Sequence, residues 1–215
     1  MRGVLGTIFL TIIIAVYIAS FLVAKLPFLE VKMYIVVGVR EDERRVLEDY
    51  LALLGRKIVF LPEKMIFNEL NKKFGNRFKY INVDREFTRE GVLINLSFER
   101  RKPVAIVKVG EGVYLIDKEG VVFIDSIPPN LPIIRVKDLN ELKSVGNKVL
   151  RIATLADDVA ILPDKVIVQK NKTKYILPKI ELIGERELKV LEYVIHQNFD
   201  ANTIDLRYKN FILLR

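Results

Sequence analysis

The chain carries one histidine, His196, and no cysteine, which narrows the side-chain chemistry open to it. A structural zinc site takes four ligands, usually thiolates and imidazoles, and one imidazole cannot supply them. His196 falls near the end of a predicted helix, where a cationic ring suits the negative terminus. Ser20, Ser97, Ser126 and Ser144 are the only serines, so any Ser-His-Asp triad would have to recruit that same histidine. No Gly-x-x-x-x-Gly-Lys phosphate loop and no Gly-x-Gly-x-x-Gly turn occurs. Aspartates and glutamates number 27, so the composition leaves a carboxylate-pair glycosidase open. The expectation is a non-enzymatic protein with no metal and no cofactor.

The next signal is apolar. From Gly3 to Ala24 the 22 positions hold no charge. A helix of that length at ~1.5 Å per residue would cross a hydrocarbon core of ~30 Å. The run exceeds the h-region of a usual signal peptide, and no clean small-x-small cleavage site precedes Lys25. The reading is a single N-terminal transmembrane helix at 3–24, behind a two-residue cytoplasmic tail, Met1–Arg2. The bulk of the chain would then lie outside the cytoplasmic membrane. Arg2 before the run and Lys25 and Lys32 after it nearly balance, so charge alone gives little orientation.

The net charge of +8 lies almost wholly in the part beyond this run. Such a basic domain would be drawn to anionic lipid surfaces. Its cations are scattered and lack an aromatic stacking platform, so nucleic acid is not expected as a partner. The abundance of Lys, Glu, Ile and Val, with Gln169 and Gln197 the only glutamines, is that of heat-adapted proteins.

Periodicity orders the first 28–101 stretch as β-α-α-β-β. A β-rich run from Phe28 to Val37 stops at Gly38. Glu41, Asp42 and Glu43 open a helix carrying Val46, Leu47, Tyr50, Leu51 and Leu54, with Gly55 as its stop. Pro62 opens a second helix with Ile66, Leu70 and Phe74 on one face. Strands follow over Phe78–Phe87 and from Val92 to Glu99, and Arg100-Arg101-Lys102 reads as a solvated strand end. Beyond Pro103 come short strands at Val104–Val109, Tyr114–Ile116 and Val121–Ile124, then an irregular connection through Pro132. A helix is expected over 138–157. A hairpin turns at Asn171-Lys172, a helix runs over Glu185–Gln197, and one terminal strand spans Ile204–Leu214. The fold class is α+β, with the 103–215 domain built on an antiparallel sheet.

Several phrases occur in a telling order. Val83-Asp84-Arg85-Glu86-Phe87 resembles a Val-x-Arg-x-Phe phrase, and Pro103-Val104-Ala105 a Pro-Val-Ala. Tyr114 to Phe123 contains the hairpin turn Asp117-x-x-Gly120. Leu131-Pro132 and Ile204-Asp205-Leu206-Arg207-Tyr208 complete the series. Together they resemble the bacterial cell-division family FtsQ/DivIB. Departures are Arg100 where Glu is usual, Thr88 where Pro is common, the short tail, and Asn171-Lys172 in place of Asp-Gly.

The resemblance implies a POTRA domain at 28–101 and a β-rich FtsQ-type domain at 103–215. It implies a divisome scaffold acting in septation, with coiled-coil partners of the FtsB/FtsL type bound by β-strand addition at the last strand. The partner-binding residues so implied are Arg207, Tyr208, Asn210, Phe211 and Leu213. The alternative is a POTRA-containing, chaperone-like module in secretion or outer-membrane assembly.

Overall fold

The computed structural model describes residues 9–19, 29–208 and 213–214. Residues 9–19 are helical. Among the described residues no helix is long and apolar enough to cross a membrane. This overturns the expected single transmembrane helix over Gly3–Ala24. The described helical stretch, 9–19, reaches roughly 16 Å at ~1.5 Å per residue, about half of a ~30 Å hydrocarbon core, and positions 3–8 and 20–24 of the expected span lie outside the described residues. The expected tail, Met1–Arg2, lies outside the described residues.

The chain divides into two units. One holds Met1–Phe74 and Phe78–Arg100, the other Gly75–Arg77 and Arg101–Arg215. In the first, β1 (Val31–Val37) leads to α1 (Glu41–Leu54), a 3₁₀ turn at Gly55–Val59 and α2 (Glu63–Lys73). Then come β2 (Phe78–Phe87) and β3 (Val92–Arg100). The sheet order is β1-β3-β2, with β1 parallel and β2 antiparallel to the central β3. Alternation explains the packing: Val92, Ile94, Leu96 and Phe98 are buried with Leu47, Leu51, Ile66 and Leu70 of the helices. β1 stops at Gly38 because φ is +87° there, and a Cβ would stand 2.1 Å from the Phe98 carbonyl oxygen.

Among the described residues the second unit has nine strands: β4 (Pro103–Val109), β5 (Gly112–Asp117), β6 (Val122–Phe123), β7 (Ile133–Arg135), β8 (Asp158–Ile161), β9 (Val166–Lys170), β10 (Thr173–Leu177), β11 (Thr203–Asp205) and β12 (Leu213–Leu214). Two helices accompany them, α3 (Leu139–Ala153) and α4 (Glu185–Gln197). The order is β12-β11-β10-β9-β8-β7-β4-β5-β6.

The expected antiparallel sheet is in fact mixed. β4 and β7, β7 and β8, and β10 and β11 run parallel. Parallel neighbours need a crossover, and each helix of this unit is one: α3 carries the chain from β7 to β8, and α4 from β10 to β11. β7 falls between the expected connection, which ends at Pro132, and the predicted helix, and β8 abuts that helix, which ends at Ala153 rather than near Asp157. Leu142, Val149, Ile152, Leu188, Leu191 and Val194 turn the buried sides of the two helices into the core.

Candidate partner-binding edge

β11 lies parallel to β10, with Tyr175 opposite Ile204 and Ile176 opposite Asp205. The Lys174 N–H donates to the Asn202 carbonyl at 3.0 Å, and the Leu206 N–H donates to the Ile176 carbonyl at 2.8 Å. Ile204 is fully buried and Leu206 nearly so, both within the second unit's core. β12 pairs antiparallel with β11 through Ile204–Leu214 and Asp205–Leu213. β12 is the outermost strand of the sheet.

The expected single strand from Ile204 to Leu214 is therefore two strands, and the outer edge belongs to its last residues. Two local causes stop β11. β10 ends at Leu177, and the next residue, Pro178, has no N–H with which to extend a ladder. Asp205 also accepts a hydrogen bond from the Arg207 backbone N–H at 3.2 Å, an Asx-type turn that bends the chain out of line.

The same carboxylate holds the Arg207 guanidinium. Nε donates to Asp205 Oδ1 at 2.9 Å and Nη2 to Oδ2 at 2.6 Å. Hydrogen bonding to Asp205, with its negative charge, raises the Arg207 pKa above the usual arginine range. Arg207 thus presents a guanidinium already oriented at the end of β11, while Tyr208 beside it is half exposed. Leu213 supplies backbone to β12. Asn210 and Phe211 lie outside the described residues. The structure so brings Arg207, Tyr208 and the Leu213 backbone to one end of the large sheet. The Asp205-x-Arg207 spacing and Pro178 are the sequence signals that mark this turn.

Of the basic run at the end of β3, Lys102 is exposed, but Arg100 and Arg101 are not solvated strand-end charges. Arg100 donates from Nη1 and Nη2 to the two carboxylate oxygens of Glu43, at 2.6 and 3.0 Å, and Glu43 also accepts from the Arg40 N–H at 2.9 Å. Glu43 is buried, and the guanidinium carbon stands 5.5 Å from the Phe78 ring centroid. In the second unit, Arg101 Nη1 donates to Asp117 Oδ2 at 2.6 Å and Nε donates to the Asn76 carbonyl at 3.1 Å. Asp117 Oδ1 accepts the N–H groups of Glu119 and Val121, which shapes the β5–β6 turn that closes at Gly120.

Arg85 of the Val-x-Arg-x-Phe phrase is also structural. It donates to the carbonyls of Ile58 and Leu61 at 3.1 and 2.6 Å, satisfying groups that the short turn between α1 and α2 leaves unpaired. His196 is exposed in the last turn of α4.

These features define a two-unit α+β protein whose larger sheet, among the described residues, ends at β12 beside an aromatic and a guanidinium. No family model matches the chain. A protein of Aquifex aeolicus (strain VF5), described as an uncharacterized protein, is 32% identical over 214 residues, covering 100% of this chain and 99% of that protein. The chain belongs to the family of that Aquifex protein.

Proposed function

We propose that this protein is a non-catalytic cell-division scaffold of the FtsQ/DivIB kind. It would work at the division site, outside the cytoplasm, and capture coiled-coil partners of the FtsB/FtsL type. The observation that carries the reading is the position of β12, which stands at the end of the nine-stranded order with one side paired to β11. A visiting strand would add to its other side, using main-chain hydrogen bonds for affinity and the exposed Tyr208 for grip. The β-α-α-β-β order of the first unit agrees with the POTRA domain that the resemblance implies.

Use of the buried acids supports a non-catalytic role. Glu43, Asp117 and Asp205 are the buried carboxylates among the described residues, and each is engaged by an arginine.

Depletion in the host tests the reading: filamentous cells that fail to septate are expected. Normal division with a secretion or outer-membrane defect would instead favour the chaperone-like alternative. For the site, truncation after Tyr208 removes β12 while keeping Ile204 and Leu206, which the core needs. Loss of capture of an FtsB-type segment, with the melting of the first unit unchanged, is expected; undiminished capture would refute the edge assignment.

A further inference from the structure

The first unit has an open edge of a different character. β1 borders its sheet, and no described residue pairs with its outer side. Exposed edges are commonly blunted by a charge, a proline or a bulge within the strand. Here the irregularity of pairing falls at the start, between Val31 and Met33, and from Met33 to Val37 every residue is apolar or aromatic. Met33, Ile35 and Val37 are 54, 45 and 60% exposed on the open face. On the helix side, Tyr34 and Val36 line a groove of 290 Å³ together with Leu51, Ala52, Arg44 and Glu48.

We propose that β1 pairs with β1 of a second copy, antiparallel across a two-fold axis centred on Ile35. The resulting sheet would run β2-β3-β1-β1-β3-β2. The occupant follows from the complementarity of the edge. In this register Ile35 meets Ile35 and Met33 meets Val37 on the open face, while Tyr34 meets Val36 on the helix side. Lys32, the one charge in β1, meets Gly38 and no other cation. A partner strand must be apolar on both faces to match this edge, and the chain's own β1 is such a strand. The groove rim fits the same symmetry, because a two-fold axis reverses the order of Arg44 and Glu48 and so offers a cation to an acid and an acid to a cation. Paired strands of this length bury less than the ~1,200–2,000 Å² of a stable complex, so the association is weak and concentration-dependent. The inference concerns the first unit alone and stands apart from the function proposed for β12.

The absence of cysteine makes the test direct. Residues directly opposite across an antiparallel pair have Cα atoms ~4.5–5.5 Å apart, within the span of a disulfide. In the full chain with a mild oxidant, Ile35→Cys is expected to form a covalent dimer at least ~10-fold faster than Leu182→Cys, an exposed control on the second unit. Met33→Cys and Val37→Cys should cross-link to each other in a mixture far faster than either does alone. In sedimentation the unaltered chain should gain mass with concentration, and Ile35→Lys, an exposed change that leaves melting unaltered, should abolish the gain. Equal rates for Ile35→Cys and Leu182→Cys, or association undisturbed by Ile35→Lys, would overturn the proposal.

Discussion

The two sheets end in opposite ways. β1 offers 7 residues of edge with apolar side chains and one charge at its start, whereas β12 offers 2 described residues beside a β11 of 3. The β12 edge is flanked by the Asp205–Arg207 clamp, and Pro178 ends its neighbouring ladder. A long apolar edge accepts any matching strand, so its selectivity must come from register. The described part of the β12 edge stands beside a guanidinium and an aromatic ring, Arg207 and Tyr208, which can add side-chain selectivity to main-chain pairing.

The contrast can be broken first at the end of β1. Gly38→Ala forces a Cβ toward the Phe98 carbonyl at a positive φ, and about 4 kcal/mol of first-unit stability should be lost in denaturant melts. The next largest effects separate the units. Glu43→Ala leaves the Arg100 guanidinium without its bidentate partner and should cost about 3 kcal/mol in the first unit. Asp117→Ala should cost about as much in the second, because Arg101 is nearly buried. Hydrogen exchange should show each loss confined to its own unit; a loss shared by both would erase the distinction.

At the β12 edge, Tyr208→Ala should leave stability unchanged and weaken capture of an FtsB-type segment by roughly 30-fold, equivalent to about 2 kcal/mol. The smallest effect is a pH dependence in the hairpin. The Lys170 ammonium, with the Asn171 N–H, holds the Asp157 carboxyl below its usual pKa. The folded pKa is depressed, so this contribution is complete above the unfolded carboxylate value of ~3.9 and disappears as pH falls through the folded value. The pair is partly exposed, so less than ~1 kcal/mol is at stake. Asp157→Asn should flatten the stability profile in that acid window.

Legibility followed the range of the interactions. α1 and α4 were readable to the residue because their signals are local: acids in the first turn, an apolar stripe, and Gly55 beyond the end of α1. β2 and β3 were readable because each buries one face, with alternation regular along β3 and broken in β2 by the register shift between Phe78 and Tyr80. β7 and β8 were not, since three or four residues between long-range parallel neighbours carry no period of their own. Of the candidate edge, the residue types of Arg207 and Tyr208 were visible. The fold-back that makes β12 the outer strand was not, because it depends on where β10 ends.

By itself the sequence determined the alternation of helices and strands in the first unit, the buried faces of α3 and α4, and the scarcity of catalytic side chains. Those properties arise from composition and from contacts a few residues apart. Tertiary structure decided which strands run parallel and which strand stands at each edge. It also decided that Arg100 and Arg101 are engaged by Glu43 and Asp117 rather than by water. A charge beside a strand looks solvated until the chain brings an acid from 57 or 16 residues away, and closing such loops depends on the whole fold.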